Sequence, residues 1–182
     1  MHRMTMAAVM TAMLAATGSA ARRGAIPPPV YDFCGAAVAV VTDAQGHAAY
    51  AGDTCDGDNQ VLDHQCDGFA THNGREDYYR IDLDVGDTLS ATVAHAGDAV
   101  LMVTAECIAF GTMFTCLAGA DAAGPGGVET ISYANYYAQR TVYLVVDSHT
   151  TAGCGAYTLD LSILGEVATQ GASFGAVKAA YR

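Results

Sequence analysis

The chain has 182 residues, with 19 Asp and Glu against 8 Lys and Arg, a formal net charge of -11 and no Trp. That balance excludes nucleic acid and anionic membrane as partners, since both require basic patches. The missing Trp also removes the side chain most used to stack on sugar rings, a role the Tyr residues fill only in part.

Residues 1–21 read as an export signal. Arg3 supplies a short basic start, residues 7–16 an apolar stretch, and Gly18-Ser19-Ala20 the small residues that a signal peptidase cuts. The apolar stretch is roughly 10 residues, against the roughly 20 a helix needs to span a bilayer, so no transmembrane anchor is expected in the mature chain. Residues 22–30, with Pro27-Pro28-Pro29, read as a stiff extended linker. Residues 31–164 then suit one domain able to bury a sizeable core. The Ala- and Gly-rich stretch 165–182 is expected to be a loosely ordered tail.

Within the domain, strands are expected at 36–41, 47–52, 77–85, 88–94, 100–105, 129–133, 141–147 and 156–164. The clearest is 77–85: Tyr79, Ile81, Leu83 and Val85 face one side and Tyr78, Arg80, Asp82 and Asp84 the other, the two-residue period of a sheet with one wet face. Gly86-Asp87 reads as a hairpin turn, after which Leu89, Ala91 and Val93 resume the apolar parity. The last strand alternates Tyr157, Leu159, Leu161 and Ile163 with polar neighbours. By contrast, 100–105 and 142–146 are apolar on both faces, as strands near the middle of a sheet are. Short strands, frequent turns and no sustained helical period imply an all-β sandwich or barrel. The apolar set Tyr79, Ile81, Leu83, Leu89, Val93, Leu144, Tyr157, Leu159 and Leu161 is expected to fill the space between two sheets.

All six Cys follow the signal, and an even number in an exported chain reads as disulfides. Cys107 and Cys116 flank a short apolar excursion between strand-like segments and are expected to staple it as a hairpin. The other four allow three connectivities. Cys34 with Cys66 and Cys55 with Cys154 is the favoured pairing, and the choice stays open at this level.

Gly74, Asp77, Tyr79, Ile81, Leu83, Gly86, Asp87 and Leu89 resemble the core of the bacterial pre-peptidase C-terminal domain. Residues 142–147 and the segment Gly155-Ala156-Tyr157-Thr158-Leu159 are similar to its later strands. Cys34, Cys66, Cys107 and Cys116 also fall where Cys-bearing relatives tend to place them, whereas Cys55 and Cys154 look like additions. The resemblance spans about residues 31–164. It implies an antiparallel, jelly-roll-like β-sandwich that is not itself catalytic, usually accompanies secreted hydrolases, and in some members binds calcium or helps engage substrates.

Motifs of chemistry are sparse. Asp53, Asp56, Asp58 and Asn59 crowd one segment, followed by Asp63 and Asp67, and hard oxygen donors at that density could hold Ca²⁺. The preferred reading is a solvated, disulfide-tied loop, with Asp53, Asp56 and Asp58 as the calcium candidates; no other cofactor is expected. His47, His64, His72, His95 and His149 sit in no nucleophile–base pattern, and neither a G-x-S-x-G nor an H-E-x-x-H motif occurs. No catalytic residue is assigned. Tyr133, Tyr136, Tyr137 and Tyr143 form an aromatic group that could pack or could recognise protein, peptide or glycan. The expectation is a secreted or periplasmic, non-catalytic binding or envelope-structural module. The alternative is a small hydrolase whose His and Asp come together only in the fold.

Overall fold

The structure, a computed structural model, describes residues 34–61, 65–70, 73–108 and 114–165. The export signal, the linker, the tail beyond Gly165, and Asp63, His64 and His72 lie outside these residues. In chain order the strands are β1 (Val38–Ala39), β2 (His47–Asp53), β3 (Gln65–Cys66), β4 (Phe69–Ala70), β5 (Glu76–Leu83), β6 (Thr88–His95), β7 (Ala99–Thr104), β8 (Cys116–Ala120), β9 (Val128–Ala134), β10 (Arg140–Ser148) and β11 (Ala156–Leu164). One sheet has the order β1-β5-β10-β7-β8, the other β2-β11-β6-β9, and β3-β4 is a separate ribbon. Pairing is antiparallel except between β1 and β5, which run parallel. The chain crosses repeatedly between the sheets, giving a jelly-roll-like, all-β sandwich.

The apolar parity of the strands fills the space between the sheets. Tyr79, Ile81, Leu83, Leu89, Val93, Leu144, Tyr157, Leu159 and Leu161 all belong to one buried cluster, with Leu101, Val103, Val142 and Val146. Each large side chain buried this way contributes about 1.5–3 kcal/mol. A one-residue slip of any strand would turn its set outward, so the register is firmly specified.

The segment 77–85 departs from expectation in three ways. The strand stops at Leu83, and Val85 is 59 % exposed in the turn instead of continuing the buried face. Asp87 N–H donates to Asp84 O at 3.2 Å, with Gly86 at φ 89°. That positive φ at the third turn position needs glycine. The turn makes no hairpin: β5 and β6 belong to different sheets, so it carries the chain across the sandwich. Finally, Tyr78 is fully buried although its face is the outer one.

The reason is a layer of loops over the outer face of the five-stranded sheet. Tyr78, Val100, Met102 and Val145 pack there against Cys34, Val61, Cys66, Ile108 and Phe114 as a second apolar cluster. Two disulfides pin this layer, Cys34–Cys107 and Cys66–Cys116, while Cys55–Cys154 ties the turn after β2 to the turn before β11. The expected Cys107–Cys116 and Cys34–Cys66 pairs are therefore corrected, and Cys55–Cys154 is the one expected pair that the structure contains. The β7–β8 hairpin does form, but strand pairing closes it, with Ala105 N–H donating to Thr115 O at 3.0 Å. Its two cysteines are used to hold the covering loops instead. Three disulfides belong to an oxidising compartment, and the chain is a secreted or periplasmic protein.

Candidate interaction surface

One end of the sandwich is built from the turn 84–87, the loop 135–139 between β9 and β10, the segment after β1 and the end of β11. Asn135, fully buried, fastens it. Its Nδ2 donates to Leu83 O at 3.3 Å, Asp84 O at 2.9 Å and Ala138 O at 2.8 Å. Its backbone adds two bonds: Asn135 N–H donates to Asp87 O, and Gly86 N–H donates to Asn135 O, both at 2.8 Å. Asp87 Oδ2 accepts from Asp84 N–H at 2.8 Å, closing the turn on itself. The two loops are thus one hydrogen-bonded unit in which the backbone carbonyls of Leu83, Asp84, Asp87, Asn135 and Ala138 are satisfied from inside, a condition for a fixed surface.

This unit lifts apolar groups into water. Tyr136 is 70 % and Tyr137 87 % exposed, next to Val85. Strand registers place Val41 and Leu164 at the same end, because Ala39 lies opposite Arg80 and Leu164 opposite Thr88. Of the six large hydrophobic residues exposed among those described, only Val128 lies elsewhere. Asp43, Asp82, Asp84 and Asp87 surround the tip, with Arg80 and Arg140 as the nearby cations, so its rim is acidic on balance.

The four tyrosines singled out by sequence do not form one group. Tyr133 packs against the core and accepts from Arg140 Nη1 at 3.2 Å, and Tyr143 packs on the loop-covered face. Only Tyr136 and Tyr137 face out.

The acidic loop is organised around its own backbone. Asp53 Oδ1 accepts from Cys55 N–H at 2.9 Å and caps the short 3-10 turn Thr54–Asp56, while Asp56 and Asp58 are exposed. Among the described residues no group of three or more His, Cys, Asp or Glu stands close enough to share a metal ion.

A His within reach of a hydroxyl exists, at His95 and Thr54. His95 Nε2 lies 3.1 Å from Thr54 Oγ1, and both residues are buried. His95 Nδ1 accepts from Gly97 N–H at 2.8 Å, which puts the imidazole proton on Nε2. Nε2–H must then donate to Thr54, whose hydroxyl in turn faces both Gly155 O at 3.3 Å and Gly155 N–H at 3.0 Å. A histidine that donates to a hydroxyl cannot take its proton as a general base. The pair is a structural tie between the turn after β2 and the ends of β6 and β11. His47 lines a shallow depression of about 230 Å³ with Asp43, Ala48, Ala49, Asp160 and Leu161. Ser162 lies opposite His47 in register, without a hydrogen bond between their side chains.

No family model matches the chain, and no curated protein matches it. Among solved structures it is similar to PliG of Aeromonas hydrophila, a periplasmic lysozyme inhibitor of g-type lysozyme, at 14 % identity and a TM-score of 0.46, covering 70 % of this chain and 96 % of that one. PliG of Salmonella Typhimurium, also a periplasmic inhibitor of g-type lysozyme, is similar at 16 % identity and a TM-score of 0.40, with the same coverage.

Proposed function

We propose that the chain is an exported, non-catalytic binding module that engages a protein through the tyrosine-bearing end of the sandwich. The observation that carries this reading is the convergence of Val41, Val85, Tyr136, Tyr137 and Leu164 on one end, over a loop that buried Asn135 holds. Tyrosine offers large, rigid contact area at low entropy cost, and a preorganised loop spares the ordering cost of binding. The tip presents exposed apolar side chains with an acidic rim. Its complement is a cleft with apolar walls and a basic margin, on a protein of opposite charge.

The test places a photo-crosslinking amino acid at Tyr137 in the exported protein, and at Asp160 on the outer face of the other sheet as the comparison. A discrete protein adduct from position 137 and none from 160 is expected. Adducts from both positions, or from neither, would refute the assignment of the end as the binding surface. Purified g-type lysozyme is the first protein to titrate directly, with the Tyr136→Ala, Tyr137→Ala double variant expected to lose at least about tenfold in affinity for whichever partner is captured.

A further inference from the structure

At the opposite end of β5, two carboxylates face each other beneath the loop layer. Glu76 and Asp147 are direct partners in the β5–β10 register, and both are fully buried. Ser148 N–H donates to Arg75 O at 3.2 Å, which makes the neighbouring 75/148 pair the hydrogen-bonded one. Glu76 and Asp147 therefore occupy a non-hydrogen-bonded position, where side chains on one face start roughly 5 Å apart.

Their surroundings differ. The Glu76 carboxylate accepts from Gln60 N–H, at 2.8 and 3.0 Å to its two oxygens, and also from Val61 N–H. Glu76 N–H donates to Asp58 O at 3.0 Å, so this one residue holds the segment 58–61 against the sheet. The Asp147 carboxylate lacks such a set of donors: its oxygens make no hydrogen bond of ordinary geometry, and only the adjacent Ser148 N–H stands near enough to favour its charged form. The adjacent Tyr78 hydroxyl, also buried, has no hydrogen-bond partner.

Among the described residues, the charged groups around the pair bring little compensation. Asp58 and Asp121 add negative potential from the loop side and from beyond β8. His149 lies 3.9 Å from both Asp98 and Asp121. Arg75, the nearest guanidinium in sequence, donates to Cys55 O at 2.8 Å and Gly57 O at 3.3 Å. Two buried carboxylates on facing positions repel each other when both ionise, which favours a protonated form of the pair.

We propose that Glu76 and Asp147 form a proton-held clasp that fastens the segment 58–61 over the five-stranded sheet and loosens it when both carboxylates ionise. Glu76 is the member that moves, because its acceptors' partners belong to the segment itself, whereas Asp147 is enclosed on the central strand. Burial outweighs the N–H donors of Val61 and Gln60, which favour the charged form, and raises Glu76 from 4.5 to about 8; burial together with the Glu76 charge raises Asp147 well above the usual carboxylate range. The folded state therefore binds more protons than the unfolded one. The clasp's contribution is fully present below the unfolded value of 4.5 and is lost as pH rises through about 8.

The experiment is amide hydrogen exchange on the oxidised protein between about pH 5 and pH 9, corrected for the intrinsic rate of exchange. Protection at Gln60 and Val61 is expected to fall by at least about tenfold over that range, while the core amides of Val93 and Leu159 keep theirs. Asp147→Asn, which keeps the shape and removes one charge, is expected to abolish the fall. Constant protection at Gln60 and Val61 in the unsubstituted protein would overturn the proposal whether or not the variant folds. Recovery of protection at the alkaline end by millimolar Ca²⁺ would also overturn it, assigning the pair to a cation instead of a proton.

Discussion

The hydroxyls of Tyr79 and Tyr157 meet between the two sheets at 2.7 Å, and Tyr157 donates onward to Asp77 Oδ2 at 2.6 Å. Because the single Tyr157 proton goes to Asp77, Tyr79 must donate to Tyr157. The relay stitches β5 to β11 with polar atoms inside an apolar core, and Gly52 opposite Tyr157 makes the space for it.

Tyr157→Phe removes both the donor to buried Asp77 and the acceptor for Tyr79, and is expected to cost about 1–3 kcal/mol. Tyr79→Phe removes only the first donor and is expected to cost about 0.5–1.5 kcal/mol. Urea melts of the two variants measure this. A larger loss for Tyr79→Phe would reverse the assigned direction of the relay.

Leu159 and Asp160 are neighbours on β11 with opposite fates, one fully buried and the other exposed. Leu159→Ala is expected to cost roughly 2–5 kcal/mol, and Asp160→Ala to stay within about 0.5 kcal/mol. Equal effects in denaturant would contradict the strand register.

Peptide mapping under non-reducing conditions is expected to recover Cys34–Cys107, Cys55–Cys154 and Cys66–Cys116. A Cys107–Cys116 peptide would mean that the loop layer is not pinned to the sheet.

Asn135 gives the sharpest contrast between two substitutions. Asn135→Ala removes the amide donor to the carbonyls of Leu83, Asp84 and Ala138 and is expected to cost about 1–3 kcal/mol. Asn135→Asp, nearly the same shape, directs a carboxylate at those three oxygens and should cost more. Thermal unfolding ranks the two, and a milder effect for Asp than for Ala would show that the amide's donors are not what holds the loop.

The inner core was legible because strict alternation in β5, β6 and β11 names the buried parity outright. The outer apolar cluster was signalled too, since Val100, Met102 and Val145 sit on the parity opposite Leu101, Val103 and Leu144. An apolar second face requires a cover, but nothing local says which segments provide it. Tyr78, on the same face as Arg80 and Asp82 in an alternating strand, reads as wet until the loops are placed over it. β8 escaped notice because Cys116-Leu117-Ala118-Gly119-Ala120 is mostly small and lacks β-branched residues. The binding surface was half visible: Tyr136 and Tyr137 stood out, whereas the approach of Val41, Val85 and Leu164 depends on long-range registers. Glu76 and Asp147, 71 positions apart, face each other only through the β5–β10 pairing.

The disulfide connectivity has a consequence for maturation. No cysteine is bonded to the next one along the chain: the linked pairs lie 73, 99 and 50 positions apart. A polypeptide exported from its N-terminus presents Cys34, Cys55 and Cys66 to the oxidant before any of their proper partners has crossed. Bonds formed first among these three are all wrong, and thiol–disulfide exchange must undo them once Cys107, Cys116 and Cys154 arrive. Yield on export therefore rests on a disulfide isomerase more than on an oxidase, and a host rich in the second but poor in the first will accumulate scrambled protein.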